Sequence, residues 1–335
     1  MPTYKIKINS SGEVFEIKPS QTILEGAINA GITMPYGCQD GACSSCKGKV
    51  ISGDFFLDDH QASALTESEK KEGYTLFCKT MARENLMIET NLPDGNDTNP
   101  PKITPVRVES LTKLNHDVMQ MCLKLPGIEK LNFRAGQYIE FIMGDGSRRA
   151  FSMANAPLDS MIELHLRLIE GGKFTSFVFN EMKEKSIHRI EGPIGQFYLR
   201  DSEKPIIFIA GGTGFAPIKS IIEDMIANKN KRKIYLYRGV RSEKDFYMNE
   251  LVNDWIKKLE GLTYIPVVED GLSEDARSGY VHHAVLEDFK NLNDIQVYCC
   301  GAPGLVENAF KDLTKSGLPD DQFFADAFTF APKKK

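Results

Sequence analysis

Three of the seven cysteines fall within residues 38–46, in the stretch YGCQDGACSSCK from Tyr36 to Lys47. Cys38, Cys43 and Cys46 are spaced C-x4-C-x2-C, and Cys78 follows after a longer gap in YTLFCKT. At this spacing four thiolates hold a [2Fe-2S] cluster, with backbone N–H groups of the loop donating to its sulfurs. Gly37, Gly41 and the small Ala42, Ser44 and Ser45 let the backbone wrap closely round an inorganic core. A structural zinc site is the plain alternative, but zinc modules pair two short knuckles, whereas here three ligands share one loop. Unrelated buried cysteines would need the spacing to arise by chance. Cys38, Cys43, Cys46 and Cys78 are therefore the expected metal ligands, and a cluster of this kind moves one electron at a time.

A second chemical motif lies far downstream. In PIIFIAGGTGFAPIKSII, Gly211, Gly212, Thr213 and Gly214 form a turn between a buried strand and a helix whose first position can be Pro217. Bare amides at a helix N-terminus favour a phosphate-bearing ligand, although a tight structural turn would use the same glycines. The turn departs from G-x-G-x-x-G, and the next strand ends YRGVRS without the acidic residue of a Rossmann ribose site, so a plain dehydrogenase is excluded.

The elements that must position these groups fall into three segments. Residues 1–92 read as a small β-rich unit with one helix, TILEGAINAG, which opens with the capping box Thr22 to Glu25 and stops at Gly31. Residues 93–102, PDGNDTNPPK, supply no core and form a linker. Residues 103–201 show short strands separated by turns, the pattern of a small antiparallel barrel. Residues 202–335 alternate glycine-bounded apolar strands with amphipathic helices, the pattern of a parallel sheet covered on both faces. A net charge of −5 gives no reason to expect nucleic acid or an anionic membrane as partner. No apolar run approaches the ~20 residues of a membrane span, and the alternating N-terminus lacks a secretory h-region, so a cytoplasmic location is expected.

The first segment resembles a plant-type ferredoxin domain of β-grasp (α+β) fold. In the second, RAFS (Arg149 to Ser152), RLIEGGKFTSFV and GPIGQF resemble the antiparallel flavin-binding barrel of the ferredoxin-NADP reductase superfamily. That resemblance implies Arg149 on the FAD pyrophosphate, Phe151 stacked on the isoalloxazine, and Ser152 bonded to the flavin N5. It also implies Gly172, Lys173 and Thr175 at a helix N-terminus for the same pyrophosphate. Phe151 stands where the usual motif has Tyr, which keeps stacking and gives up a phenol hydrogen bond. In the α/β parallel-sheet third segment the resemblance assigns Gly211, Gly212, Thr213, Gly214 and Pro217 to the pyridine nucleotide and Arg241 to its adenosine half. Cys300 and Gly301 of CCGAPG fall beside the nicotinamide, and Phe328 of FFADAF is the candidate shield over the flavin. Ser152, Cys300 and Phe328 are thus the candidate catalytic residues. His282 and His283 start a helix and, as adjacent residues, are expected to point apart as surface or capping groups and not as metal ligands.

The order of segments resembles single-chain NAD(P)H-dependent electron-transfer reductases, and SGYVHHAVLEDF with FFADAF looks most like the CDP-6-deoxy-Δ3,4-glucoseen reductase branch. The resemblance implies that NAD(P)H passes a hydride to FAD, which releases single electrons to the cluster exposed on a small domain, and that the cluster passes them to a terminal acceptor protein, a dehydrase or an oxygenase component. Glu243 and Asp245 beside Arg241 favour NADH over NADPH. A reductase for a Rieske dioxygenase or di-iron monooxygenase is the neighbouring alternative, and a redox sensor or scaffold that does not turn over is one of a different class.

Overall fold

The computed structural model describes residues 3–37, 39, 41, 45–60, 64–90, 101–127, 130–158, 160–270 and 275–328. Cys38, Cys43 and most of the expected linker lie outside the described residues. The chain divides into two compact units, Met1–Pro100 and Pro101–Lys335.

The first unit contains β1 (Tyr4–Ile8), β2 (Val14–Ile17), α1 (Ile23–Asn29), β3 (Lys47–Ser52), β4 (Phe55–Leu57), α2 (Glu67–Lys71), β5 (Tyr74–Leu76), β6 (Thr80–Ala82) and β7 (Leu86–Glu89). Five strands form a mixed sheet in the order β2-β1-β7-β3-β5, parallel only where β1 meets β7, and β4 pairs with β6. This is the β-grasp arrangement. Alternation in YKIKI and VFEI sends Ile6, Ile8, Phe15 and Ile17 into the core, where α1 buries Ile23, Leu24 and Ala27. Thr22 and Glu25 make the reciprocal capping box, and Gly31 follows the helix in the left-handed region at φ +75°.

The second unit begins with β8 (Lys102–Lys113), β9 (Val118–Lys124), β10 (Tyr138–Ile142), β11 (Arg148–Ser152), β12 (Met161–Arg167), α3 (Lys173–Asn180) and β13 (Ile187–Ile194). Their antiparallel order is β11-β10-β13-β8-β9-β12, and an isolated bridge between Met153 and Leu164 joins the two edges, closing the barrel. Val106, Val108, Met121, Leu123, Ile139, Phe141, Leu164 and Ile190 fill its interior.

The remainder alternates strand and helix: β14 (Ile206–Gly211), α4 (Phe215–Ala227), β15 (Ile234–Val240), α5 (Asn249–Lys258), β16 (Leu262–Val268), β17 (Arg277–Ser278), α6 (Val281–Asp288), β18 (Gln296–Gly301), α7 (Pro303–Lys315) and β19 (Phe323–Ala327). The sheet is parallel throughout, in the order β17-β16-β15-β14-β18-β19. Ile206 and Phe208 of β14 face α4 and α5, while Ile207 and Ile209 face α6 and α7, so the strand is buried on both sides, as its unbroken apolar run requires.

One expectation about side chains is corrected. His282 is buried, only 4% exposed, and its ring centroid lies 4.4 Å from that of His283. His283 is exposed as expected, but His282 is not, because α6 is anchored by Val281 against Gly239 of β15 and packs against α7.

Candidate functional site

In the first unit, Cys46 leads into β3 and Cys78 follows β5. Their buried sulfurs stand 3.2 Å apart, held by the bond that Phe77 N–H donates to the Cys46 carbonyl. That separation is far beyond a disulfide of ~2.05 Å. Gln39 and Gly41 adopt left-handed backbone, φ +56° and +74°, and a Cβ on Gly41 would press on His60 and Lys79 at 3.0 Å. Two facing thiols that are not bridged, beside left-handed backbone at Gln39 and Gly41, fit a metal-thiolate centre. Cys38 and Cys43 fall outside the described residues, so the four expected ligands are seen here as one pair.

In the second unit, the residues singled out from the sequence lie at the carboxyl ends of β14, β15, β18 and β19, along β11, and at the starts of α3 and α4. Gly211 ends β14, and Gly212–Gly214 make a single tight turn into α4, with Gly212 at φ +54°. A Cβ on Gly214 would sit 2.1 Å from the Cys300 carbonyl oxygen, so only glycine lets this turn lie against the end of β18. Pro217 is in the first turn of α4, two positions later than expected from sequence. The helices α3, α4 and α7 begin on Gly172, Gly214 and Ala302, none of which caps with a side chain. Bare helix starts of this kind suit the phosphates of flavin and nicotinamide nucleotides. Thr175 is spent locally: its hydroxyl accepts from Ile169 N–H at 3.1 Å and donates to the Gly172 carbonyl at 3.4 Å. Lys173 opens α3 and is exposed, and Arg149 on β11 donates to the neighbouring Arg148 carbonyl. Phe151 packs its ring against Phe174 at 5.4 Å and keeps part of its surface open.

Cys300 is fully buried, and burial, with Asp326 beside it, holds its thiol protonated far above the usual range. Its Sγ donates to Asp326 Oδ2 at 3.9 Å, and Ser152 Oγ donates to the same oxygen at 3.4 Å. Asp326 therefore joins the barrel strand to the nucleotide sheet at the point where Ser152 and Cys300 meet. Phe328 reaches this place too, its N–H donating to the Gly301 carbonyl at 2.8 Å. The stretch FFADAF points to Phe328 by its sequence and gives no sign of the part Asp326 plays. No local signal in the sequence marks it: the parallel register of β18 with β19 sets Asp326 opposite Cys300.

A buried polar network underlies the cleft. Lys219, in α4 just after the glycine turn, donates to the Ala154 carbonyl at 3.1 Å, to Glu163 at 3.2 Å and to Glu223 at 2.9 Å. Ser220 donates to the Asn155 carbonyl at 2.6 Å. Glu163 also accepts from His165 Nε2 at 2.8 Å, and Tyr247 donates to His165 Nδ1 at 3.1 Å. Burial alone would raise Glu163, but the His165 hydrogen bond and the Lys219 charge hold it down at about 2. Burial pushes His165 below the usual imidazole range, so it is neutral and donates through Nε2. The helix that starts at the nucleotide turn is thus fastened to the residues that follow the flavin strand.

Arg241, at the end of β15, is exposed and lines a cleft of about 340 Å³ with His116, Arg167, Ser242, Lys244 and Asp245. Asp245 Oδ2 accepts from Ser242 N–H at 2.8 Å and its other oxygen lies 3.4 Å from His116, so one of the two acids of RGVRSEKD does reach this cleft.

A thiolate centre, a closed barrel and a glycine-edged parallel sheet define an oxidoreductase that joins pyridine nucleotide, flavin and iron-sulfur chemistry. Three family models match accordingly: a 2Fe-2S iron-sulfur cluster binding domain over residues 6–83, an oxidoreductase FAD-binding domain over 105–198 and an oxidoreductase NAD-binding domain over 208–311. The chain is 37% identical over 325 residues to the CDP-6-deoxy-L-threo-D-glycero-4-hexulose-3-dehydrase reductase of Yersinia pestis, covering 96% of this chain and 98% of that one. It is 34% identical to terephthalate 1,2-dioxygenase, reductase component 1, of a Comamonas species, over 98% of each. The crystal structure of the Amycolatopsis reductase GcoB matches with a TM-score of 0.82 at 28% identity, over 97% of this chain and 99% of that one. The chain belongs to the single-chain iron-sulfur flavoprotein reductases of the ferredoxin-NADP reductase superfamily. It is an NAD(P)H-dependent electron-transfer oxidoreductase whose cofactors are FAD and a [2Fe-2S] cluster. Among the described residues, no helix is long and apolar enough to cross a membrane.

Proposed function

We propose that the chain is the NADH-dependent reductase of a dehydrase acting on a nucleotide-linked 6-deoxyhexulose, a reaction of the CDP-6-deoxy-Δ3,4-glucoseen reductase type. The observation that carries this reading is likeness along essentially the whole chain to the Yersinia pestis dehydrase reductase. The motifs SGYVHHAVLEDF and FFADAF support it. In this reading residues 1–92 form the cluster domain, 93–102 the linker, 103–201 the flavin domain and 202–335 the nucleotide domain.

When bound, FAD accepts two electrons as a hydride and gives them up singly, which is the conversion a one-electron cluster needs. The residues of this chain do the positioning. The backbone amides of Gly172, Lys173 and Thr175 at the α3 N-terminus, together with Arg149, take the flavin pyrophosphate, and Phe151 and Phe328 bound the ring system. Ser152 offers its hydroxyl where the flavin N5 falls, with Asp326 holding that hydroxyl and the Cys300 thiol on one carboxylate. Gly211 to Gly214 and Gly301 leave room for the nucleotide, and Arg241 meets its adenosine half. Asp245 in the Arg241 cleft disfavours a 2′-phosphate, which is the basis for NADH. Cys38, Cys43, Cys46 and Cys78 hold the cluster.

The test is reconstitution. The reading expects NADH-supported turnover with a dehydrase acting on a nucleotide-linked deoxyhexulose and little with a Rieske oxygenase. Similarity to the terephthalate dioxygenase reductase component favours the oxygenase as the second reading, and the reverse outcome would establish it. Sustained NADH consumption with ferricyanide excludes a sensor that does not turn over.

A further inference from the structure

Away from the cleft, His282 and His283 in the first turn of α6 stand beside Asp312 of α7, on the sheet face opposite α4 and α5. One nitrogen from each ring and one carboxylate oxygen all lie within 4.8 Å of one another, the one such group of three ligands among the described residues. His282 Nε2 is 3.4 Å and His283 Nε2 3.9 Å from Asp312 Oδ2. Both are longer than good N–H···O bonds of ~2.7–3.2 Å. The shorter matches the edge of a tetrahedron, roughly 3.3 Å, drawn round an ion with bonds of ~2.0–2.1 Å, and the longer exceeds it by about 0.6 Å. The Tyr280 ring stacks at 26° to that of His282 and helps fix its plane. His282 Nδ1 is buried without a hydrogen-bond partner among the described residues, so the polar contact of this ring is made through Nε2. His283 is exposed and Asp312 partly so, which leaves an entry path for an ion.

We propose that His282, His283 and Asp312 form a binding site for one divalent transition-metal ion of the zinc class, clipping α6 to α7. Two imidazoles and a single carboxylate suit a borderline ion, whereas Mg²⁺ and Ca²⁺ require mostly oxygen ligands. Water completes the coordination. The clip ties together two edges of the nucleotide fold: α7 starts directly after Gly301 and Ala302, and Val281 of α6 packs on Gly239 of β15.

The experiment uses the holoprotein, its cluster thiolates already occupied, stripped of loosely bound metal and titrated with ZnCl₂ by calorimetry, with melting followed in parallel. The expected result is one Zn²⁺ bound per chain and a raised Tm, neither reproduced by Mg²⁺. His283→Ala and Asp312→Asn, both at accessible positions, should weaken Zn²⁺ binding about tenfold or more and abolish the Tm rise. The metal-free Tm and the flavin and cluster spectra should stay as in the parent. Absence of saturable binding at about 100 µM Zn²⁺, or binding equally tight in both variants, or an equal response to Mg²⁺, overturns the proposal.

Discussion

Replacing Lys219 by Met keeps the apolar stem of the side chain and removes its charge from the network beneath the cleft. Glu163 is held at about 2 against an ordinary 4.5. Its ionised form therefore contributes ~3 kcal/mol of stability, fully present above pH 4.5 and lost as pH falls towards 2. Losing the Lys219 ammonium at 3.2 Å removes one charge-assisted hydrogen bond from Glu163, ~1.5 kcal/mol, while the His165 bond survives the substitution. The Ala154 carbonyl loses the ammonium donor now at 3.1 Å, a further ~1 kcal/mol. The sum, ~2.5 kcal/mol, lowers the Tm of a unit spanning Pro101–Lys335 by roughly 5–10 °C. Calorimetry between pH 5 and 8 should show a constant gap between parent and variant, because Glu163 is ionised in both. Below pH 4 the gap narrows as the carboxylate of the variant protonates first. In Lys219→Met/Glu163→Gln the two losses should not add. A Tm within a degree or two of the parent, or strict additivity in the double variant, would refute the assignment of Lys219 as the buried partner of Glu163.

Cys46→Ala removes a cluster ligand, so cytochrome c reduction should vanish while NADH-dependent ferricyanide reduction largely persists; equal loss of both contradicts a sequential route. Ser152→Ala should slow anaerobic flavin reduction roughly tenfold, the worth of one hydrogen bond, and leave the cluster spectrum intact. Unchanged stopped-flow kinetics would remove Ser152 from the site. Gly214→Ala sets a methyl against the Cys300 carbonyl, a backbone group that cannot swing aside, and should cost about 3 kcal/mol with a raised KM for NADH. A variant with parent Tm and KM would show that the turn can open.

What the sequence carried was local. Cysteine spacing, the Thr22 to Glu25 capping box and the glycine turn each declare themselves within a few residues, since their chemistry is set by neighbours along the chain. The helix α2 carries a second capping box, Thr66 to Glu69, yet its sequence reads as a charged stretch because it buries no residue and shows no apolar stripe. Long-range partners were not legible. Ser152 and Asp326 are 174 residues apart, and only the strand register and barrel closure bring them together. Lys219 reads as one more helix charge until the barrel supplies Glu163. The burial of His282 likewise depends on α7 lying alongside α6.

The central claim is that electrons from the nucleotide reach the cluster only by way of the flavin. The most direct measurement is anaerobic addition of NADH to protein that retains its cluster but has been stripped of flavin, with the cluster absorbance followed before and after FAD is restored. The account predicts an oxidised cluster before FAD is added and bleaching after it. Bleaching at the same rate without flavin would contradict it.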